Sequence, residues 1–361
     1  MAGLDQYRLL GKSGLRVSPL CLGTMTFGDN WGWGADAQES RRQFDMYADQ
    51  GGNFIDSADG YTDGTSEELV GEFVGDDRDR WVVATKFGFN NNHGDPNAGG
   101  NHRKNMMQSL EGSLRRMKTD YIDLYWVHIW EFRTRPEEVM RALDDAVRQG
   151  KILYIGVSNA PAWKIAQCNT LAELRGWTAF SALQMEYSLI ERTAERDLIP
   201  MCAELGLGVT PWSPLAQGIL AGKYKKEDAN AEPEMTESGF PASRKTLMVG
   251  QGRLNDRTLG IAETVKQVAR DIGKTPAQVA LNWAATQPGI TSPILGARTA
   301  DQLADNIGAL DFTLDDAQRQ TLNDASAIEL GQPHEFGHDP MIQGMADGNT
   351  SINPPGYRVH F

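Results

Sequence analysis

The sequence predicts a (β/α)8 barrel forming one domain over residues 1–361, and three observations predict it. Short apolar runs alternate with amphipathic stretches through some 290 residues, giving about eight strand–helix units. The runs are apolar on both faces, a pattern that strands carry when helices cover both sides of a parallel sheet. An open, doubly wound sheet would place G-x-G-x-x-G after its first strand. The nearest match, Gly32-Trp-Gly34, lacks the third glycine and lies in a loop away from a strand end.

The composition suits that architecture. An apolar content of 40% and a charged content of 23% supply a substantial core. A net charge of −13 argues against nucleic-acid or anionic-membrane partners, though not against a local basic pocket. Cys21, Cys168 and Cys202 show no C-x-x-C spacing and are expected as reduced thiols. The N-terminal residues have no apolar signal run and no stretch is long enough to span a bilayer, so a cytoplasmic location is expected.

Residues 7–10 and 15–18, divided by Gly11-Lys-Ser-Gly14, read as a hairpin capping one end of the barrel. Residues 20–23 form the first buried strand and lead into a glycine-rich loop, 24–34. A helix over about 37–50 stops at Gly51-Gly52. The next strand ends at Asp56, before a helix over about 66–74 for which Ser66-Glu-Glu-Leu offers a cap and an acidic first turn. A third strand ends at Lys86; a loop to Asn101 and a helix over about 102–117 follow. A fourth ends at His128, before a helix over about 135–149 opened by Pro136. Strands over 152–157, 182–185 and 207–211 precede helices over about 161–173, 194–204 and, past a long insertion at 213–255, 256–272 and 276–285. The last strand, 292–295, leads to helices over 299–309 and 314–327. Residues 328–361 read as an irregular tail, and His334-x3-His338 within it lacks a third metal ligand.

Side chains at the C-terminal ends of barrel strands share one mouth. Asp56, Lys86 and His128 end three successive strands, and Tyr61 follows Asp56 by five positions. A tyrosine with an ordinary pKa of about 10 is a poor acid at neutral pH. An adjacent lysine ammonium lowers that value, and an aspartate paired with the lysine holds the ammonium in place. His128 can donate to the same carbonyl oxygen. These are the parts for protonating a carbonyl oxygen. No side chain supplies a hydride, so a nicotinamide is implied.

The motifs Asn53-Phe-Ile-Asp56-x4-Tyr61, Thr85-Lys86, Tyr121-Ile-Asp-Leu-Tyr-Trp-Val-His128 and Gly156-Val-Ser-Asn159 resemble the aldo-keto reductase superfamily. The resemblance covers about residues 7–327 and points to the branch of aryl-alcohol dehydrogenases and potassium-channel β-subunits. It implies a catalytic tetrad of Asp56, Tyr61, Lys86 and His128, with Tyr61 as general acid, and NADP(H) bound without a Rossmann domain. It places Thr24, Met25 and Asp56 near the cofactor, Ser158, Asn159 and Gln184 on the carboxamide, and Trp212 on the nicotinamide face. Ser213, Pro214, Leu215, Gly218 and Lys223 resemble the pyrophosphate loop, with Arg244 beyond it. Gly296, Arg298, Gln302, Asp305 and Asn306 resemble the adenosine site. There Arg298 and backbone N–H groups of the helix from Thr299 would hold a 2′-phosphate, favouring NADP(H) over NAD(H). Arg298 has a competing role as the partner of Asp301 or Asp305.

The substrate pocket is expected from Phe27, Trp31, Trp33, Tyr61, His128 and Trp130, with Thr26 and the tail, and suits a flat aromatic or sugar-like carbonyl compound. No metal is expected, and oligomeric state is not legible. Three functions compete: an NADPH-dependent carbonyl reductase, an NADPH-binding regulatory or sensor subunit with little turnover, and a barrel glycosidase using Asp56 with Glu186. The last leaves Lys86 and residues 212–223 without a role.

Overall fold

The computed structural model describes residues 3–230, 244–348 and 350. Two short strands, β1 (Arg8–Leu9) and β2 (Arg16–Val17), pair antiparallel as the hairpin. Strand–helix units follow: β3 (Cys21–Gly23) and α1 (Ala37–Asp49), β4 (Phe54–Asp56) and α2 (Thr65–Val74), β5 (Val82–Phe87) and α3 (Arg103–Met117). Next come β6 (Ile122–Val127) and α4 (Pro136–Arg148), then β7 (Ile152–Ser158) and α5 (Ala162–Arg175). β8 (Ala182–Glu186) precedes α6 (Leu198–Leu205), and β9 (Gly208–Trp212) precedes α7 (Arg244–Gly250), α8 (Asp256–Ile272) and α9 (Pro276–Ala285). The last barrel strand is β10 (Ile294–Leu295), followed by α10 (Ala300–Ile307) and α11 (Asp316–Ser326). The tail contains α12 (His334–His338) and α13 (Pro340–Ala346).

The eight strands from β3 to β10 run parallel in the order β10-β3-β4-β5-β6-β7-β8-β9. A parallel bridge between Val209 and Ile290, with the Thr291 N–H donating to the Val209 carbonyl at 2.8 Å, joins the two ends of that order. This is a (β/α)8 barrel. β5 and β6 are buried at every position because one face fills the barrel and the other lies under helices. Leu10, Val17, Cys21, Phe54, Val82, Leu124 and Trp126 pack as the inner core. Trp126 fits because Gly156 faces it from β7; a Cβ there would lie 2.3 Å from the indole. The hairpin plugs the end away from the mouth, with Leu10 in the inner core and the Lys12 N–H donating to Gly206 O at 2.8 Å.

Three local expectations are corrected. Ser66 does not cap α2: the left-handed Gly64 (φ 96°) stands at the cap, and the buried Ser66 hydroxyl donates to Thr24 O at 2.8 Å. β10 has two residues, because Thr291 and Ser292 turn their N–H groups to Val209 O. Part of the tail is helical: Pro340 opens α13 and the Asp339 carboxylate accepts from Met341 N and Ile342 N. His334 pairs with Asp197 at 3.3 Å, and no metal-ligand cluster occurs among the described residues. The three cysteines are buried and free. No helix among the described residues is long and apolar enough to cross a membrane.

Candidate active site

Parallel register brings the strand-end residues together. Asp56 closes β4 beside Ala84, Lys86 lies beside Trp126, and His128 follows β6 with its N–H donating to Phe87 O at 2.9 Å. Lys86 is wholly buried, and its Nζ donates to Asp56 Oδ2 at 2.5 Å, Ser57 O at 2.6 Å and Tyr61 Oη at 3.2 Å. Gln184 of β8 donates to Asp56 Oδ1 at 3.0 Å, so both carboxylate oxygens are engaged. Tyr61 opens a tight turn in which Thr62 and Asp63 are left-handed (φ 46° and 58°). Thr62 pins that turn by donating to Phe27 O at 2.7 Å and accepting from Ser66 N at 3.0 Å. Such backbone persists only where neighbours impose it. The His128 ring stands edge-on to Tyr61, with centroids 6.0 Å apart.

Burial sets most of the electrostatics. It pushes the Tyr61 phenol above its ordinary pKa, and the Lys86 ammonium opposes that push without reversing it. The expected lowering by the ammonium is thus corrected: desolvation of the phenol is the larger effect. Burial also works against the Lys86 charge, but Asp56 and Tyr61 outweigh it and hold the pKa above the ordinary lysine value. Burial raises Asp56, against the pull of Lys86 and Gln184. Burial, and then Lys86, drives His128 well below the ordinary histidine range. The imidazole is therefore neutral at pH 7, with one nitrogen a donor and the other an acceptor.

The residues assigned to the carboxamide and ring do meet. Ser158 ends β7, and the exposed Asn159 (φ 49°) donates through Nδ2 to His128 O at 2.9 Å and Ser158 Oγ at 3.0 Å. The Trp212 indole N–H donates to Asn159 Oδ1 at 3.2 Å. A cavity of about 370 Å³ opens here, bordered by Asn159, Met185, Glu186, Leu198 and Trp212. Thr24 donates to Asp56 O through N–H and hydroxyl, and Met25 is exposed beside it. Past β9, Ser213 is left-handed and the Ala216 N–H returns to its carbonyl; Pro214, Leu215 and Gly218 continue this tight loop to the exposed Lys223. Arg244 begins α7, but its side chain lies outside the described residues.

The adenosine assignment divides. Gly296, Arg298 and Gln302 are exposed together, with Arg298 N donating to Gln302 Oε1 at 3.1 Å. Arg298 has no ion pair with Asp301 or Asp305 among the described residues. Asp305 points elsewhere: its carboxylate accepts from Thr275 Oγ1 at 3.0 Å and Gln278 Nε2 at 3.1 Å in the α9 cap, and Asn306 is buried. The backbone of α10 is also less available than expected. Ala300 N donates to Glu39 Oε1 at 2.5 Å and Gln302 N to Thr299 Oγ1 at 3.2 Å.

Phe27 and Trp130 are corrected from pocket lining to core. Phe27 is fully buried edge-on to Phe73, because its loop folds back through a bridge to Ala35, and Trp130 is 3% exposed. Thr26 is buried too, its hydroxyl donating to Ala297 O at 2.8 Å. Trp31 and Trp33 remain half-buried in mutual contact, with centroids 5.6 Å apart. Phe89, which the sequence reading missed, is 47% exposed with its ring 4.5 Å from His128. Its signal was an aromatic residue three positions past Lys86, on a strand-end loop. Glu186 forms a two-pronged pair with Arg253 while Asp56 pairs with Lys86, so the glycosidase reading loses both of its carboxyl groups.

A profile of the Aldo/keto reductase family matches residues 19–327. A norsolorinic acid reductase of Aspergillus flavus is 35% identical over 359 residues, covering 96% of this chain and 88% of its own length. An aryl-alcohol dehydrogenase [NADP(+)] of Phanerodontia chrysosporium is 37% identical over 347 residues, covering 92% and 88%. An uncharacterized oxidoreductase of Bacillus subtilis is 37% identical over 331 residues, covering 88% and 95%. With the barrel and the strand-end residues in place, these matches settle the family: the chain belongs to the aldo/keto reductases and is an oxidoreductase of carbonyl and alcohol groups.

Proposed function

We propose that the protein reduces an aldehyde or ketone with NADPH, or oxidises the matching alcohol, with Tyr61 as the general acid. The observation that carries this reading is the buried Lys86 ammonium, held between Asp56 Oδ2 and Tyr61 Oη. An anion forming on the phenol gains from that adjacent cation, which offsets part of the cost of burial. Asp56 and Ser57 O fix the ammonium so that it does not swing into solvent. Neutral His128 retains one N–H to orient the carbonyl oxygen.

A nicotinamide supplies the hydride when bound. The half-buried Trp212 indole and the exposed Asn159 amide beside the cavity fit a flat ring carrying a carboxamide. Ser158, Asn159, Gln184 and Trp212 would hold that ring, the loop from Ser213 to Lys223 the pyrophosphate, and Arg298 with Gln302 the adenosine end. NADP is supported by the dehydrogenase relative named for NADP(+) and by an Arg298 guanidinium with no carboxylate partner among the described residues. Half-buried Trp31 and Trp33 with Phe89 favour a flat aromatic substrate. The buried free thiols support a cytoplasmic location.

The test is to mix the protein with NADPH and a panel of aromatic aldehydes and follow nicotinamide absorbance. Rapid oxidation is expected; NADPH binding with no turnover on any aldehyde overturns the proposal. Arg298→Ala is expected to weaken NADPH by roughly 1.5–3 kcal/mol, the worth of a charge-assisted contact, and NADH much less. Equal losses in the two titrations would place the 2′-phosphate elsewhere.

A further inference from the structure

Glu39 of α1 reaches across to α10, 261 positions later in the chain, and takes its first backbone donor. The two helices pack against each other. Glu39 Oε1 accepts from Ala300 N at 2.5 Å, and Oε2 accepts from Arg42 Nη1 at 2.9 Å. Ala300 is buried, so its N–H depends on that carboxylate for a partner. The Glu39 side chain is 21% exposed and that of Arg42 62%. So exposed a cation offsets little of its partner's charge. Asp36 and Asp301, the other acids near these two helix starts, are exposed to solvent, which screens them. Two positions before Ala300, the exposed Arg298 has no carboxylate partner among the described residues.

A carboxylate and a free guanidinium therefore stand at the two sides of one helix start. A helix N-terminus attracts an anion, and this one already holds Glu39. A 2′-phosphate is an anion and an acceptor: it gains from Arg298 and loses beside Glu39. A 2′-hydroxyl carries no charge and is a donor, so a carboxylate repels it not at all and can accept from it. One side chain thus acts in opposite senses on the two nicotinamide cofactors.

We propose that Glu39 is a specificity-determining residue for the cofactor. Its carboxylate holds the Ala300 N–H and stands against the 2′-phosphate, so the protein prefers NADPH less strongly than Arg298 alone would dictate and accepts NADH as well. The inference rests on the reading that Arg298 and the start of α10 hold the adenosine end. Arg298 sets which cofactor is preferred, and Glu39 sets how far.

The test measures dissociation constants of NADPH and NADH by tryptophan quenching for the wild type, Glu39→Gln and Arg298→Ala. Glutamine keeps an oxygen for Ala300 N while removing the charge, so α10 stays capped. Glu39→Gln should bind NADPH roughly threefold to tenfold tighter and NADH no tighter. Unchanged constants, or the same gain for both cofactors, overturn the inference and leave Glu39 as a helix cap only. Should the variant not fold, the backbone amide resonance of Ala300 in the wild type decides: it must move further on saturation with NADP+ than with NAD+, and equal movements overturn the inference. If Arg298→Ala weakens NADPH selectively while Glu39→Gln changes nothing, this inference alone fails. If Arg298→Ala weakens both cofactors equally, the adenosine assignment beneath it fails.

Discussion

Tyr61→Phe should lower kcat for carbonyl reduction by about 10²- to 10⁴-fold, the usual worth of a positioned general acid. The substitution removes one oxygen and leaves the ring, whose centroid lies 4.8 Å from Lys86 Nζ, to hold the turn and the cation together. Lys86 keeps Asp56 and Ser57 O, so its charge remains supported. NADPH affinity should stay nearly unchanged, because Tyr61 is not among the residues assigned to the cofactor. Single-turnover mixing of the NADPH complex with an aldehyde reads the chemical step directly. A variant that retains most of the wild-type rate would remove Tyr61 from the role given to it.

Asp56→Asn should cost about 3–5 kcal/mol of stability in a urea titration, the scale for leaving one member of a buried ion pair alone. Lys86 would then keep a fully buried ammonium with only a carbonyl and a phenol for partners. Lys86→Met should be milder, since burial already favours the protonated, neutral form of Asp56. Combining Asp56→Asn with Lys86→Met should recover part of the loss, because the orphaned charge is gone. A double variant that is simply the sum of the two would mean that the groups do not depend on each other. All three should reduce slowly, since the phenol loses its adjacent cation or the group that fixes it.

Much of this was legible in the chain. Asp56 ends β4, Lys86 is the penultimate residue of β5 and His128 follows β6, and a barrel brings such strand ends to one mouth whatever their separation. Ser158 and Trp212 close β7 and β9 at the same mouth. What escaped were residues whose meaning depends on who stands opposite. Phe27 reads as a mouth aromatic until the Ala35 bridge folds its loop inward, and Asp305 reads as an adenosine ligand until α9 claims it. Glu39, 261 positions before Ala300 in the chain, occupies the start of α10 with nothing local to announce it.

The sequence by itself determined the order of strands and helices and the chemical types at the strand ends, because periodicity and chain punctuation are local properties. Only the tertiary structure decided the signs of the electrostatics. Burial outweighs the ammonium at Tyr61 and silences the charge of His128. Desolvation depends on everything packed around a group, and that is a property of the folded volume, which no short stretch of chain encodes.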